Sequence, residues 1–169
     1  LQTWFLAIYL ITGHKKGISS LQLAKDLNVT QKTAWFMLHR IRNCFGIENN
    51  HTLDNEVECD ESFIGGKNKN RHAHKKVEGS QGRSVKDKTP VFGMIEREGK
   101  LVAKVVKDTS GESLTPEIIK AVKETAKVYT DEWTGYKSLQ KIYDHAFVKH
   151  NEGEYVNGRV STNCVENFW

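Results

Sequence analysis

Along the first fifty positions, apolar residues recur at helical spacing; from Glu56 onward they alternate at strand spacing. Leu1 to Ile11, with Trp4, Phe5 and Tyr9, predicts a helix packed on the segment after it, and Gly13 and Gly17 bracket a basic turn of His14, Lys15 and Lys16. Ser19 and Gln22 have the spacing of a capping box, ahead of a short helix that buries Leu23, Ala24 and Leu27. Asn28 tolerates the left-handed turn conformation, and Thr30 is placed to cap a second helix from Gln31 to Arg42. The buried side of that helix reads as Ala34, Trp35, Leu38 and Ile41. Helix, three-residue turn and helix is the helix-turn-helix pattern. Its outward face carries Gln31, Lys32, Thr33, Phe36, His39 and Arg40, including polar side chains that reach base edges or phosphates in a major groove. A helical hairpin with a solvated polar face has the same spacing.

In the second part, Val57, Cys59, Glu61 and Phe63 alternate with Glu58, Asp60, Ser62 and Ile64, a strand with carboxylates on both faces. Acids in a strand run against propensity and are costly to bury alone, so a cation is one explanation and a half-exposed edge strand the other. By the same alternation, Glu58 shares a face with Asp60, and Glu61 points the other way. Residues 67–88 are nearly free of apolar side chains and predict a mobile loop. Two strands come next, Val91–Arg97 and Leu101–Lys107, with a turn at Glu98–Lys100. A helix is expected over Leu114–Ala126, with Thr115 as cap, Pro116 in its first position, and Ile118, Ile119, Val122 and Ala126 buried. Val128–Thr130 reads as a strand delivering Asp131 and Glu132 at its end, Tyr136–Tyr143 as a helix, and Ala146–His150 as a strand. Asn163 then reads as the cap of a last helix, with Glu166 at the reciprocal capping position. The order β-β-β-α-β-(α)-β-α makes the fold class α/β: a ribonuclease H-like mixed sheet with flanking helices, preceded by a small all-α helix-turn-helix domain. The expected domains are residues 1–50 and 51–169.

Composition narrows the function. The 169 residues are 27% charged and 38% hydrophobic, as in a soluble globular chain, and no apolar run is long enough to span a bilayer. Cys44, Cys59 and Cys164 form no CxxC pair, which excludes a self-contained disulfide framework and a structural zinc site within this stretch. With no secretory leader, the expected location is cytoplasmic. The net charge of +4 is unevenly spread. Residues 1–50 carry six Lys/Arg against two acids, residues 51–66 five acids and no Lys/Arg, and residues 67–88 eight Lys/Arg against two acids. Two basic segments around an acidic knot suit a polyanion held by the flanks and a cation held by the knot. In the loop, Lys67, Lys69, Arg71, Lys75, Lys76 and Arg83 are candidate phosphate contacts; a flexible insertion is the other account. The chain starts without a methionine and stops at Trp169, which reads as a fragment of a longer protein.

Four ordered blocks, Val57–Gly66, Thr89–Met94, Thr130–Tyr136 and Thr162–Trp169, resemble the signature blocks of bacterial insertion-sequence DDE transposases. The resemblance is to the group related to Merlin elements, with its ISXO2-like transposase domain, and it extends to Ala34–Arg42 in the first part. It implies a catalytic, metal-binding triad of Asp60, Asp131 and Glu166, with Asp131 lying 71 positions after Asp60 and Glu166 lying 35 after Asp131. It further implies two Mg2+ or Mn2+ ions, double-stranded DNA as partner at element ends and target, a homo-oligomer on that DNA, and a nucleoid-associated location. Members of the family usually carry an N-terminal zinc ribbon, and a basic residue about two turns beyond the glutamate; neither lies in this stretch. Many have His where Ser161 stands, and some have Asn at the third acidic position. With the last helix cut three residues after Glu166, the fragment is expected to be inactive by itself. A stand-alone nuclease and a DNA-binding remnant that cuts nothing are the competing functions.

Overall fold

The computed structural model describes residues 1–45 and 51–169 and divides into two compact units, Leu1–Asn49 and Asn50–Trp169. The boundary expected at residue 50 lies outside the described residues.

The first unit is built from α1 (Gln2–Gly13), α2 (Ser20–Leu27) and α3 (Gln31–Phe45). Ser19 Oγ accepts from the Gln22 N–H at 3.1 Å and starts α2. Asn28 stops it in the left-handed region (φ 52°, ψ 47°), where the Val29 N–H returns to the Ala24 carbonyl at 3.0 Å. Thr30 Oγ1 accepts from the Thr33 N–H at 3.2 Å and opens α3. The core joins Ala7, Leu23, Ala24, Leu27, Ala34, Met37, Leu38 and Ile41. Trp35, expected inside, is 52% exposed, and Met37 takes its place, because 34, 37, 38 and 41 fall on one arc of the helix and 35 lies beside it. Of α1, Ala7 alone is fully buried, while Phe5 and Tyr9 are exposed.

In the second unit the strands are β1 (Glu56–Ile64), β2 (Thr89–Glu96), β3 (Leu101–Val105), β4 (Lys127–Thr130) and β5 (Asp144–Phe147). The sheet order is β3-β2-β1-β4-β5, with β1, β2 and β3 antiparallel and β4 and β5 added in parallel. This is the ribonuclease H-like mixed sheet. Val57, Cys59, Phe92, Met94 and Val102 pack with Leu114 and Ile118 of α4 (Gly111–Ala121) and with Tyr136 and Leu139. A small hairpin, β6 (Val156–Asn157) and β7 (Val160–Ser161), precedes α5 (Asn163–Phe168).

Several expected boundaries move. Helix α4 begins at Gly111 behind Ser110, places Pro116 inside, ends at Ala121, and leaves Ile119 half exposed. Thr134–Lys141 winds as a 3-10 helix, not an α-helix over Tyr136–Tyr143. The last sheet strand is Asp144–Phe147, earlier than Ala146–His150. Asn163 is the first residue of α5, not its cap; Thr162 holds the cap position. Residues 67–88 contain two 3-10 turns, Asn68–Asn70 and Ala73–Lys75, tied by Asn68 to both backbone groups of Val77 at 2.7 and 3.0 Å.

The sheet has a notch on one side of its central strand. Strand β4 pairs with β1 only from Glu56 to Glu58, so β1 runs on past the end of β4 with β2 on its other side. Asp131 stands just beyond that end, at the notch.

Asn28→Ala is expected to destabilise the protein by about 1 kcal/mol, because alanine lacks the short polar side chain that lets asparagine adopt the left-handed region, whereas Asn28→Gly is expected to be neutral or stabilising. Urea unfolding followed by helical circular dichroism measures both.

Candidate active site

Asp60 is the fifth residue of β1, directly across from Gly93 on β2. At the notch, Asp60, Glu61 and Asp131 each offer a carboxylate oxygen, and these three oxygens lie within 4.8 Å of one another, the one such acidic group among the described residues. Asp131 is steadied by the Trp133 N–H, which donates to its Oδ1 at 2.9 Å. Glu61, expected on the other face of β1 from Asp60, still brings an oxygen to this group beside the end of β4. The buried Tyr136 hydroxyl donates to Glu61 Oε2 at 2.7 Å and holds it there.

Crowded carboxylates at a half-buried edge resist ionising. Burial pushes the Glu61 carboxyl up to about 7, against the Tyr136 hydrogen bond and with repulsion from Asp131 and Asp60; Arg83, from the basic loop, opposes the rise. Burial also raises Asp60, as do the charges of Asp131 and Glu166. The Trp169 indole N–H, donating to Asp60 Oδ2 at 2.9 Å, pulls the other way. That ring sits over Gly93: a Cβ there would stand 2.7 Å from the indole Cζ2.

Glu166 is on α5, outside the close trio, and it acts on Asp60 through its charge. The Thr162 hydroxyl donates to its Oε1 at 2.7 Å, and His150 Nε2 lies 3.4 Å from the same oxygen. Glu166 therefore has no capping bond with Asn163. The cap comes instead from Glu58, whose side chain has no exposure. Glu58 Oε2 accepts the Cys164 and Val165 N–H groups at 2.7 and 3.3 Å, and its Oε1 takes Arg97 Nε at 2.7 Å. The Arg97 guanidinium also donates to Glu56, the Arg159 carbonyl and Ser161 Oγ, and lies over the Tyr129 ring. The clamp joins β1, the residue after β2, the small hairpin and the start of α5.

Four of the basic loop residues, Lys67, Lys69, Lys75 and Lys76, are exposed, as is Arg83, whereas Arg71 is half-buried and donates to the Asp87 carbonyl at 2.9 Å. On α3, Lys32 and Thr33 are exposed, Gln31 donates to Ser20 Oγ at 2.9 Å, His39 packs at a tilt against the Trp35 ring, and Arg40 lies over Phe36. Glu132 Oε1 accepts from the Asn151 N–H at 3.1 Å. No described helix is long and apolar enough to cross a membrane.

The ISXO2-like transposase domain model matches residues 52–169. An uncharacterized protein in the transposable element ISH50 of Halobacterium salinarum is 29% identical over 175 residues, a match covering 98% of this chain and 58% of that protein. The chain thus spans somewhat under three-fifths of that relative's length. A solved structure, a pre-cleavage Mos1 transpososome, aligns over 83% of this chain and 57% of its own at 12% identity and a TM-score of 0.28, a distant likeness.

The acidic edge and the Glu58 clamp each lead to a measurable effect. Glu61 binds its proton more tightly folded than unfolded, so its contribution to stability is full below about pH 4.5 and is lost as the pH rises through about 7. In chelator, the parent should lose melting temperature relative to Glu61→Gln between about pH 5 and pH 8, and Mg2+ should restore it at the upper end. Parallel melting curves for the two proteins would contradict this. Separately, Glu58→Leu leaves Arg97 and two helix N–H groups without their acceptor, and should cost about 3 kcal/mol in urea unfolding. Adding Arg97→Met should return part of that loss.

Proposed function

We propose a function from one premise: the chain belongs to the ISXO2-like transposase domain family. Its chemistry, in this reading, is cleavage of phosphodiester bonds at the ends of a mobile DNA element and transfer of the freed 3′-hydroxyl to target DNA. The observation that carries the reading is the convergence of Asp60, Glu61 and Asp131 at the sheet notch, with Glu166 acting on Asp60 through its charge from α5.

The donor set fits hard divalent cations. Carboxylate oxygens are what Mg2+ and Mn2+ prefer, and a bound cation offsets the burial, and the lesser mutual repulsion, that raise Asp60 and Glu61. Asp60, Asp131 and Glu166 would hold two such ions, with Glu61 as a further oxygen donor, and the ions would activate the attacking oxygen and neutralise the leaving one. The chain's own residues set the geometry. Trp169 orients Asp60, the Trp133 N–H orients Asp131, and the Glu58 clamp fixes the helix that carries Glu166. Cys59 offers no covalent route: it lies buried in the core, and burial raises its thiol far above the range in which a thiolate forms. In this reading the attacking oxygen comes from outside the chain, first water and then the DNA 3′-hydroxyl.

DNA is gripped in this reading by Lys67, Lys69, Lys75, Lys76 and Arg83 through phosphates, with Arg71 bracing the loop. The helix-turn-helix of residues 1–50 contributes Lys32, Thr33, His39 and Arg40, and Gln31 by giving up its bond to Ser20. The protein works as a homo-oligomer that brings element ends together, in the cytoplasm at the nucleoid.

The test is incubation of the full-length protein with labelled duplexes carrying the element ends, with and without Mg2+ or Mn2+, beside Asp131→Ala and Asp60→Asn. Metal-dependent cleavage and joining are expected, with both reduced at least ~100-fold in the variants, as for loss of a group that holds the metal. Cleavage without joining of a pre-cut end would indicate a nuclease; binding with neither product would overturn the catalytic reading.

A further inference from the structure

Helix α1 carries no Asp, Glu, Lys or Arg between Gln2 and Gly13, and its large apolar residues are spread all round it. A helix of that kind is ordinarily covered on every side. In α1 one side is covered: Ala7 is fully buried, with Leu10 and Ile11 packed against the same core. Phe5, Ile8 and Tyr9, with Thr12 a turn further on, fall on the opposite side at i, i+3, i+4 and i+7. They form a second stripe with the spacing of a buried helix face, yet Phe5 is 65% exposed and Tyr9 72%. Trp4 widens the stripe by meeting Phe36 of α3 edge to face, with ring centroids 6.5 Å apart.

Size and charge together narrow what covers this face. At about 200 Å² for a fully open large side chain, Trp4, Phe5, Leu6, Ile8, Tyr9 and Phe36 leave roughly 600 Å² of apolar surface in water. That is the top of the roughly 300–600 Å² patch a monomer shows. It is also one partner's share of a specific interface of about 1,200 Å², before any polar rim is added. DNA is held through cations, and α1 has none; Lys15 and Lys16 come only after its C-terminal end. An uncharged face meets a copy of itself with no like charges opposed, as a two-fold interface requires, since each patch there faces its own twin. Antiparallel pairing of two α1 helices also sets the two His14–Lys16 turns at opposite ends, where they do not repel.

We infer that the stripe of Phe5, Ile8 and Tyr9 is a two-fold interface with a second copy of this chain, the two α1 helices running antiparallel. This interface rests on the proposed function only for the homo-oligomer whose surface it names. The rings of Phe5 and Tyr9 supply the large apolar anchors at its centre, and Trp4 and Phe36 its margin. An axis through α1 holds two helix-turn-helix units as a pair, so that one dimer presents two copies of α3 to DNA.

The experiment is analytical ultracentrifugation of the full-length protein at micromolar concentration, without DNA or metal. The parent is expected to sediment as a dimer. Two double variants, Phe5→Lys with Ile8→Lys and Phe5→Glu with Ile8→Glu, should each associate at least ~100-fold more weakly, as for loss of a central anchor. Mixing the two should restore a one-to-one dimer, because rows of opposite charge then face each other. Restoration on mixing also establishes that both variants are folded, as does unchanged helical circular dichroism. Trp35→Lys, at an exposed aromatic outside the stripe, should leave the dimer intact. A parent that sediments as a monomer, its α1 covered by another part of its own chain or by nothing, overturns the interface. So does an oligomer that survives both double variants. A protein that dimerises through α1 and cuts nothing refutes the catalytic reading alone. One that cuts element ends while both double variants stay dimeric refutes this interface alone.

Discussion

A carboxylate with no access to water has to find all of its partners inside the protein, and the position of Glu58 makes that requirement shape the second unit. Two helix N–H groups, a guanidinium and a serine hydroxyl converge on it from elements far apart in the chain. Burying an ion in this way is rarely a net gain in stability over a well-packed apolar residue, but leaving the pair half-made is severely penalised. The penalty enforces register. With Arg97 held by Glu56, Glu58 and the hairpin backbone, α5 has one place to start, and Glu166 is carried to the acidic edge as a consequence.

Two residues farther along, β1 does the opposite thing with charge. Glu58 has its charge balanced from within; Asp60 and Glu61, with Asp131, are left with more negative charge than their surroundings relieve. The chain supplies a few hydrogen bonds to the acids, from Trp169, Tyr136 and the Trp133 backbone, and these orient oxygens without removing the repulsion. The contrast separates a carboxylate that builds the scaffold from those that, in the proposed reading, would hold a cation.

How much of this is legible in the sequence depends on how local the signal is. The helices of the first unit are marked by caps and spacing within a few residues, and Ser19, Asn28 and Thr30 stand where the pattern puts them. The pattern misplaces Trp35 because a stripe of large apolar residues does not say which edge of the arc faces inward, and Met37 packs more adaptably. The succession of strands along the chain is as the pattern expects, whereas four-residue strands such as β5 are too short for alternation to fix their ends. The hairpin of β6 and β7 is not expected from the sequence, although Gly158, the first of its two loop residues, is a turn signal and adopts φ 61°. Asp60 and Asp131 can be singled out as acids at strand positions. Glu61 cannot, because alternation gives the face of a side chain and not how near its carboxylate comes to acids beyond a strand end. Nor can the role of Glu58, whose partners Arg97 and Cys164 lie 39 and 106 positions away.

Gly93 bears on how such a protein tolerates change. It has no functional group, touches no substrate in the proposed reaction, and sits in the middle of an ordinary strand. Yet the Trp169 ring that steadies Asp60 occupies the volume any side chain at position 93 would need. Even the smallest replacement must tilt the ring and loosen the hold on the acid across the strand. In a screen for inactive alleles, position 93 would score beside the carboxylates themselves, and a catalogue of chemically active residues would give no reason why.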